Sequence, residues 1–414
     1  MTKFHLNENK YLCKIDMQGQ KIVPAYLFYV YKRRRFLHIM KKKIIVAGHI
    51  CVDITPAIQG KKVSKIQELL IPGKLIEVGN ATVSTGGAVA NTGLAMKILG
   101  ANVSLMGKIG DDAFGEIVKN VLKKYDVEEE LSVSDTEATS YTVVVAVPGI
   151  DRIFLHNPGA NNAFYTEDIP AEELKDAALF HFGYPPIMRS MYVNDGEELV
   201  KMMKKVKEAG VATSMDLAAV DEASEAGKVD WHHVLERVMP YIDIFVPSVE
   251  ELCYMLDKER FREWQERAAG KDVTEVLDIE KDVKPLAQEC MRMGAKILLL
   301  KCGVPGMYFC STSREALSQI SDRLGLDTDA WAEKEHFEKS YVPEKVLSGT
   351  GAGDTSIAAF LTAMADGYTP EDALHLAAGT GASCVAAYDA LSGLKSFEEL
   401  KKKIEAGWDK VDFI

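Results

Sequence analysis

Short apolar runs alternate with longer amphipathic stretches along most of the chain. From Lys41 onward six runs are nearly continuous in apolar residues: Ile44–Gly48, Val103–Gly107, Ala178–Gly183, Val211–Asp216, Ile242–Val246 and Ile297–Lys301. Such runs are typical of strands covered on both faces. Helical periods lie between them, as at Ala88–Leu99, Gly115–Tyr125 and Glu197–Ala209. The alternation predicts an α/β fold with a doubly wound, mostly parallel sheet flanked by helices.

Two segments break this alternation. Residues Ile54–Ser84 and Tyr141–His156 are rich in Val, Ile and Leu, have no helical period, and each contains a Pro-Gly turn signal. They predict antiparallel hairpins that form one small inserted sheet, placed to cover a site on the larger domain. Two strongly charged stretches, Lys258–Lys284 and Ser311–Glu344, predict helical insertions on the surface.

The net charge of the 414-residue chain is −12 and is unevenly distributed. Residues 1–40 hold eight Lys and Arg residues against two acidic ones, so their balance is +6 and the remainder carries −18. An acidic surface repels phosphate backbones, which disfavours a nucleic-acid-binding protein. We interpret residues 1–40 as a basic extension outside the fold and residues 41–414 as the folded domain; a basic anchor or targeting arm is the alternative.

Seven cysteines are dispersed, with no Cys-x-x-Cys pair and no cluster of metal-ligand spacing. Such a set is typical of reduced thiols in a cytoplasmic protein. The most apolar stretch near the start, Ile22–Tyr31, is far shorter than the roughly 20 residues that span a bilayer. The sequence therefore predicts a cytoplasmic protein with no membrane partner.

The most informative segment is the Gly-rich stretch Ser348–Thr355, which precedes a helical run at Ser356–Ala365. Its small residues allow a tight turn, and the unpaired N–H groups and positive dipole end of the following helix attract an anion. It is not a Walker A motif, because an acid, Asp354, stands where that motif has lysine. Asp354 could be a helix N-cap. Alternatively, it could be a general base that takes the proton of an attacking hydroxyl beside a bound phosphoryl group.

Two further positions suit a polar small molecule. A second helix begins with Gly86 and Gly87, and Asn91, about one turn along, offers a donor and an acceptor to sugar hydroxyls. Asp53 follows the first strand, near the carboxyl end at which open α/β sheets bind ligands. An Asp after a strand is also a common turn residue.

These motifs resemble, in order and separation, those of the ribokinase-like carbohydrate kinases, also called the PfkB family. The resemblance rests on the Gly-Gly-x-x-x-Asn segment at Gly86–Asn91, on Lys108–Gly115 and on Gly351–Asp354, and it covers the chain from about Lys41 onward. It implies transfer of the γ-phosphoryl group of ATP to a hydroxyl of a small sugar, with Mg²⁺ as cofactor. It also implies that the two inserted hairpins form a lid over the site.

The same resemblance implies the role of each motif residue. Asp354 would be the catalytic base, and the anion hole would consist of Gly351, Ala352 and Gly353. The residues that contact substrate hydroxyls would be Asp53, Gly86, Gly87 and Asn91. The residues that border the nucleotide and its magnesium-bound phosphates would be Ser248, Lys301, Gly303, Gly306 and, for the metal, Glu251. The small residues of Ala377–Val385 would form one side of the adenine slot, although close helix packing explains them equally well.

The chain departs from the family pattern at several positions, among them the segment Asp216–Ala218, which matches only at its Asp. Ser248 replaces the Asn of the family's Asn-x-x-Glu motif, whereas Glu251 matches, so we expect a weaker or re-routed contact to phosphate. Ser348 stands where many members have an Asp that helps to bind a monovalent cation, which makes activation by potassium doubtful.

Several alternatives stay open. A nucleoside kinase of the adenosine type has the same fold, and a non-catalytic sugar-binding relative would keep the same pocket. Phosphorylated sugars are a weaker hypothesis because the basic residues of the lid segments form no compact group: Lys61, Lys62, Lys65, Lys74 and Arg152. A nicotinamide-dependent dehydrogenase is disfavoured because no Gly-x-Gly-x-x-Gly follows the first strand. By analogy with the family, a homodimer through the lid is a plausible assembly.

Overall fold

The computed structural model describes residues 14–15, 21–22, 41–58, 63, 65–147 and 152–412. The chain divides into two units, residues 1–41 and residues 42–414. In the first unit, strands β1 (Lys14–Ile15) and β2 (Lys21–Ile22) pair in antiparallel orientation. The expected basic extension, residues 1–40, otherwise lies outside the described residues.

Nine strands form the main sheet of the second unit. Their order across the sheet is β15 (Glu335–Lys339), β14 (Gly306–Ser311), β13 (Ile297–Lys301), β12 (Ile244–Phe245), β11 (Ala212–Met215), β10 (Ala177–Gly183), β3 (Lys43–Gly48), β6 (Asn102–Gly110) and β7 (Glu128–Ser134). From β13 to β7 all neighbours are parallel, whereas β14 and β15 add antiparallel pairs at one edge. All six predicted strands are present, which confirms the mostly parallel sheet.

Helices cover both faces of this sheet. They are α1 (Gly87–Ile98), α2 (Ala113–Lys124), α3 (Arg189–Glu208), α4 (Trp231–Val238), α5 (Val249–Leu256), α6 (Lys258–Ala268), α7 (Lys284–Met293), α8 (Arg314–Leu317), α9 (Thr328–Trp331), α10 (Ala352–Ala365), α11 (Pro370–Cys384) and α12 (Phe397–Glu405). Alternate residues of β3 enter different cores. Ile44 and Val46 join the core that contains α1 and α10, whereas Ile45 and Ala47 join the core that contains α3 and α4. The doubly wound architecture is therefore confirmed.

A separate four-stranded sheet has the order β5-β4-β8-β9. Its strands are β4 (Cys51–Pro56), β5 (Ala81–Gly86), β8 (Tyr141–Val145) and β9 (Ile153–Asn157). The pairs β4–β5 and β8–β9 are antiparallel, and β4–β8 is parallel. This confirms the predicted small sheet; the Pro-Gly turn at residues 148–149 lies outside the described residues. Only His49 and Ile50 separate β3 from β4, so the chain passes directly from the main sheet into the small sheet.

The charged stretches had different outcomes. Lys258–Lys284 is helical, as predicted, because it contains α6 and shorter helical turns. The prediction of a helix for Ser311–Glu344 is wrong at β15, which pairs with β14 at the edge of the main sheet. The charged side chains of β15 belong to an edge strand, where charged residues are common, and not to a solvated helix. Its Glu338 is buried and forms an ion pair with Lys410.

Candidate active site

The predicted site residues gather at the edge where the parallel strands of the main sheet end. Asp53 lies in β4 just past the end of β3, and Lys301 is the last residue of β13. Helices α1 and α10 both begin at this edge, and the side chain of Asn91 in α1 donates a hydrogen bond of 2.9 Å to Asp354 in α10. Open α/β sheets bind ligands at the carboxyl ends of their strands, so this edge is the candidate active site.

Asp354 lies in the first turn of α10 and is only 4% exposed. Its Oδ2 accepts the bond from Asn91, and its Oδ1 accepts a 2.6 Å bond from the hydroxyl of Tyr184. Burial raises the pKa of Asp354, although these two donors and the nearby Lys301 oppose the rise. The N-cap of α10 is Gly351, so the N-cap interpretation of Asp354 is wrong. Its carboxylate is held by side chains of two other segments.

The loop before α10 has the features of an anion site. Gly351 adopts a left-handed φ of 76° and begins a 14-residue helix, whose first N–H groups have no partner within the helix. Behind Gly353 lies Lys301, whose Nζ is 3.7 Å from the position that a Cβ on this glycine would occupy. The helix start and the lysine therefore place positive potential next to the carboxylate of Asp354.

The paired glycines at the start of α1 make room for neighbouring parts of the protein. A Cβ on Gly86 would lie 2.5 Å from the carboxyl carbon of Asp53. Gly87 has a φ of 84°, and a Cβ there would lie 2.6 Å from the carbonyl oxygen of His49. Both positions need glycine, one for a close approach and one for its backbone conformation. The motif thus lets Asp53 lie against the start of α1.

Tyr184 is a site residue that the sequence did not reveal. It directly follows β10 in a left-handed conformation (φ 67°, ψ 40°), which is uncommon for a residue of this size. Burial and the charge of Asp354 raise the pKa of Tyr184 well above its usual value, so its hydroxyl stays protonated and donates. The sequence signal that could have identified Tyr184 is its position immediately after a predicted strand of the sheet.

The side of the site that the resemblance assigns to the nucleotide contains an ion pair. Lys301 Nζ lies 2.8 Å from Oδ1 of Asp216, which directly follows β11. Burial raises the pKa of Asp216 to about 7, against the lowering effect of Lys301. Gly303 and Gly306 both have positive φ in the tight connection from β13 to β14. The predicted strand–turn is therefore present at Lys301–Gly306.

Ser248 and Glu251 have a structural role that the resemblance in sequence did not imply. Ser248 is the N-cap of α5; its hydroxyl accepts from the N–H of Glu251, while Glu251 Oε2 accepts from the N–H of Ser248 at 3.2 Å. This reciprocal capping box explains both residue types. The charge of Glu251 nevertheless reaches the site, because it raises the pKa values of Asp216 and Asp354.

The site supplies few protein ligands for a metal ion. Within the described part of the chain, no group of three or more His, Cys, Asp or Glu side chains could hold a metal. Mg²⁺ in nucleotide sites usually takes one or two carboxylates, with phosphate oxygens and water as the remaining ligands. Glu251 offers a hard oxygen donor of this kind, so the residues fit a magnesium ion that is brought by a nucleotide.

Polar side chains surround Asp53 between the two sheets. His49 Nε2 lies 3.3 Å from His156 Nε2, and His156 Nδ1 lies 3.0 Å from the hydroxyl of Thr142. The thiol of Cys51 donates to Asp53 at 3.3 Å. Burial lowers the pKa values of both histidines, so the two rings are neutral at neutral pH. This part of the site offers hydrogen bonds without positive charge.

The run of small residues Ala377–Val385, which the resemblance assigned to one side of the adenine slot, lies mostly in helix α11. Ala377 and Ala378 are packed into the core. Ala382, which also belongs to this core, and Ser383 line a cavity of about 380 Å³, together with residues of α12. Part of Ala377–Val385 therefore serves helix packing, and part borders a space of suitable size for a small ring.

Several known proteins are similar to this chain in sequence. Residues 41–396 match the model of the pfkB family carbohydrate kinases. The chain is 27% identical over 183 residues to probable fructokinase-3 of Arabidopsis thaliana, a match that spans about half (48%) of that relative's length. Probable fructokinase-5 of the same plant is 24% identical over 88% of this chain and 97% of its own. A 5-dehydro-2-deoxygluconokinase of Clostridium perfringens is 23% identical over 88% of this chain and 93% of its own.

Two solved structures show the same fold. The ribokinase of Arabidopsis thaliana complexed with ribose and ATP has a TM-score of 0.64 at 21% identity, over 88% of this chain and 98% of that chain. Fructokinase with bound ATP from Xylella fastidiosa has a TM-score of 0.63 at 19% identity, over 89% and 99%. No helix among the described residues is both long and apolar enough to cross a membrane.

Proposed function

We propose that this chain, which belongs to the PfkB family of carbohydrate kinases, transfers the γ-phosphoryl group of ATP to a hydroxyl group of a small sugar. The observation that carries the proposal is the position of Asp354. This buried carboxylate lies at the start of α10, held by Asn91 and Tyr184, beside a helix start that attracts anions. A base and an anion site within one helical turn suit phosphoryl transfer to an alcohol.

In the proposed reaction Asp354 accepts the proton of the acceptor hydroxyl. A pKa raised by burial makes its carboxylate a stronger base than an exposed aspartate. The N–H groups at Gly351, Ala352 and Gly353 hold the transferring phosphoryl group, and Lys301 next to Gly353 adds positive charge. Glu251 would hold Mg²⁺, which neutralises phosphate charge when it is bound with ATP.

The acceptor side suits an uncharged, hydroxyl-rich molecule. Asp53 and Asn91 supply acceptors and a donor, while His49 and His156 are neutral. A sugar presents several hydroxyls at the spacing that such groups can bind. This arrangement supports a sugar over an acceptor that already carries phosphate.

The small sheet has two proposed roles. As a lid it would exclude water, so that ATP is not hydrolysed without an acceptor. Its edge strands β5 and β9 expose apolar side chains: Val83 (47%), Phe154 (53%) and Leu155 (57%). Such side chains suit pairing with the small sheet of a second copy, and light scattering on the full chain would measure the resulting mass.

The described cysteines are all free thiols, which supports the expectation of a reducing, cytoplasmic location.

The experiment that tests the function is an ADP-release screen over pentoses, hexoses, their phosphates and nucleosides. We expect turnover with at least one unphosphorylated sugar and turnover lower by about 10²–10⁴-fold or more with the Asp354→Asn variant. ATP binding without turnover on any acceptor would instead favour a non-catalytic protein. If a nucleoside is turned over faster than any sugar, the proposed acceptor becomes a nucleoside.

A further inference from the structure

One row of polar side chains crosses the small sheet. Asp53 in β4 pairs with Thr142 in β8, and Thr142 pairs with His156 in β9, so the three residues are neighbours on adjacent strands. Because side chains paired across strands lie on the same face of a sheet, all three share one face of the small sheet. His49 Nε2, in the connection from the main sheet, lies 3.3 Å from His156 Nε2. The row therefore ends on a residue that joins the two sheets.

The contacts of Thr142 fix the position of the proton on His156. Burial raises the pKa of Asp53, and a hydrogen bond from the hydroxyl of Thr142 opposes the rise. A hydroxyl has one proton to donate, so Thr142 Oγ1 must accept at its 3.0 Å contact with His156 Nδ1. The neutral ring of His156 thus carries its proton on Nδ1 and has a bare Nε2.

An independent contact fixes the position of the proton on His49. The hydroxyl of Ser140 donates its proton to the carbonyl of Asn157 at 2.8 Å. At its 3.5 Å contact with His49 Nε2, Ser140 can therefore only accept, so the neutral ring of His49 carries its proton on Nε2. This N–H faces the bare Nε2 of His156. Nδ1 of His49 is buried without a hydrogen-bond partner among the described residues, and it is then an acceptor that lacks a proton.

We propose that a directed chain of hydrogen bonds positions the carboxylate of Asp53 for a hydroxyl of the acceptor. The chain runs from His49 through His156 and Thr142 to this carboxylate. The inference rests on the proposed function and deepens it, because Thr142 and His156 are positioning residues that act through Asp53. Each donor in the chain has an acceptor, so one arrangement of protons satisfies all of its bonds. Together with the thiol of Cys51, which donates to Oδ1 of Asp53, the chain holds the carboxylate in one orientation.

The positions of the ring protons test the chain directly. Long-range ¹H–¹⁵N NMR on the full chain with ¹⁵N-labelled histidine distinguishes protonated from bare ring nitrogens, and His49→Gln and His156→Leu variants assign the two rings. At neutral pH we expect the proton of His156 on Nδ1 and that of His49 on Nε2. A reversed proton in either ring, or one shared between both nitrogens, would overturn the proposal. The measurement needs no turnover, so an enzyme that phosphorylates no acceptor would contradict the proposed function while the NMR still tests the chain.

Two amide variants separate the ends of the chain. Asn places its amide nitrogen near the position of Nδ1, whereas Gln places its amide near that of Nε2. His156→Asn keeps a donor for Thr142, so we expect KM for the acceptor within about 2-fold of the wild type. His156→Gln and His156→Leu lose this donor, so KM should rise roughly 3–10-fold while kcat changes less than about 2-fold. Equal KM values in His156→Asn and His156→Leu would overturn the proposal. His233→Leu removes an exposed imidazole on α4 and is the matched control, with both constants unchanged.

A double variant shows whether Thr142 and His156 act in one chain. Thr142→Val removes the hydroxyl with little change of shape and should raise KM for the acceptor by a similar factor, about 3–10-fold. Because His156 acts through Thr142, adding His156→Leu to Thr142→Val should raise KM no further. Effects that multiply, as for independent residues, would overturn the proposal. If Thr142→Val does not fold, the proton positions in the wild type still decide.

Discussion

Helices α1 and α10 both begin with glycines at the same edge of the sheet, but the space at the two helix starts is used differently. At α1, a Cβ on Gly86 or Gly87 would meet Asp53 or His49 within 2.7 Å. At α10, a Cβ on Gly351 would also meet a neighbour closely, Ala390 at 2.3 Å, whereas one on Gly353 would meet its nearest neighbour, the side chain of Lys301, at 3.7 Å. The protein fills the space at both glycines of the first helix start, whereas at the second it leaves room at Gly353, beside a lysine. We therefore expect an anion to bind at the second helix start, where space is open at Gly353.

The two helix starts are also chemically linked. The hydrogen bond from Asn91 to Asp354 connects the filled start to the open one. We infer that α1 orients the reactive carboxylate, whereas α10 supplies both that carboxylate and the anion site. Each of the following predictions tests this division.

The largest effect is expected for Asp354→Asn. An amide cannot accept the acceptor's proton, so kcat should fall about 10²–10⁴-fold or more while nucleotide affinity changes little. Steady-state ADP release and calorimetry measure the two quantities. Near-normal turnover in a variant that melts like the wild type would remove Asp354 from the mechanism.

A smaller effect distinguishes the glycines of the two helices. Gly87→Ala forces a side chain into a left-handed conformation and against the His49 backbone, so the free energy of unfolding should fall by about 1–3 kcal/mol. Gly353→Ala places its methyl at ordinary contact distance from Lys301 and should leave stability nearly unchanged. Urea denaturation compares the two variants. Equal losses of stability would contradict the difference between a filled and an open helix start.

Tyr184→Phe should act on the pH profile of kcat. The Tyr184 hydroxyl lowers the pKa of Asp354, so its removal should raise that pKa. If Asp354 is the base, kcat should rise with pH as Asp354 loses its proton, and in the variant this rise should move to higher pH. Above the rise, kcat should be roughly 2–10-fold lower, the effect of one lost hydrogen bond. A profile that stays in place or moves to lower pH would show that Tyr184 does not influence the reactive carboxylate.

The smallest effect is expected for monovalent cations. Ser348 offers a neutral hydroxyl, and Arg152 lies against it, so exchange of potassium for sodium or choline at constant ionic strength should leave kcat unchanged. Several-fold stimulation by potassium alone would contradict this expectation.

The sequence predicted the parts of the fold that depend on local pattern. Buried parallel strands are continuous apolar runs, which is why all six predicted strands were present. The edge strand β15 was not predicted because its sequence is rich in charged residues. One of them, Glu338, is buried and forms an ion pair with Lys410. A local pattern cannot tell an ion pair formed across the fold from a solvated surface.

The site shows the same limit. Asp354 and Asn91 belong to recognisable motifs, whereas Tyr184 is a single residue whose importance depends on a partner 170 positions away. By contrast, the capping box at Ser248 and Glu251 has a local Ser-x-x-Glu signature and could have been predicted directly. The family pattern drew attention to phosphate contacts at these positions instead.

The bond between Asn91 and Asp354 also has a consequence for the order of folding. Its two residues are 263 positions apart, and a contact that closes so long a loop forms late because much chain entropy must first be lost. The reactive carboxylate gains its partners only after both ends of the domain have come together. If Asp354 is the base, as proposed, turnover during refolding should return in the last kinetic phase, after the core tryptophans are buried.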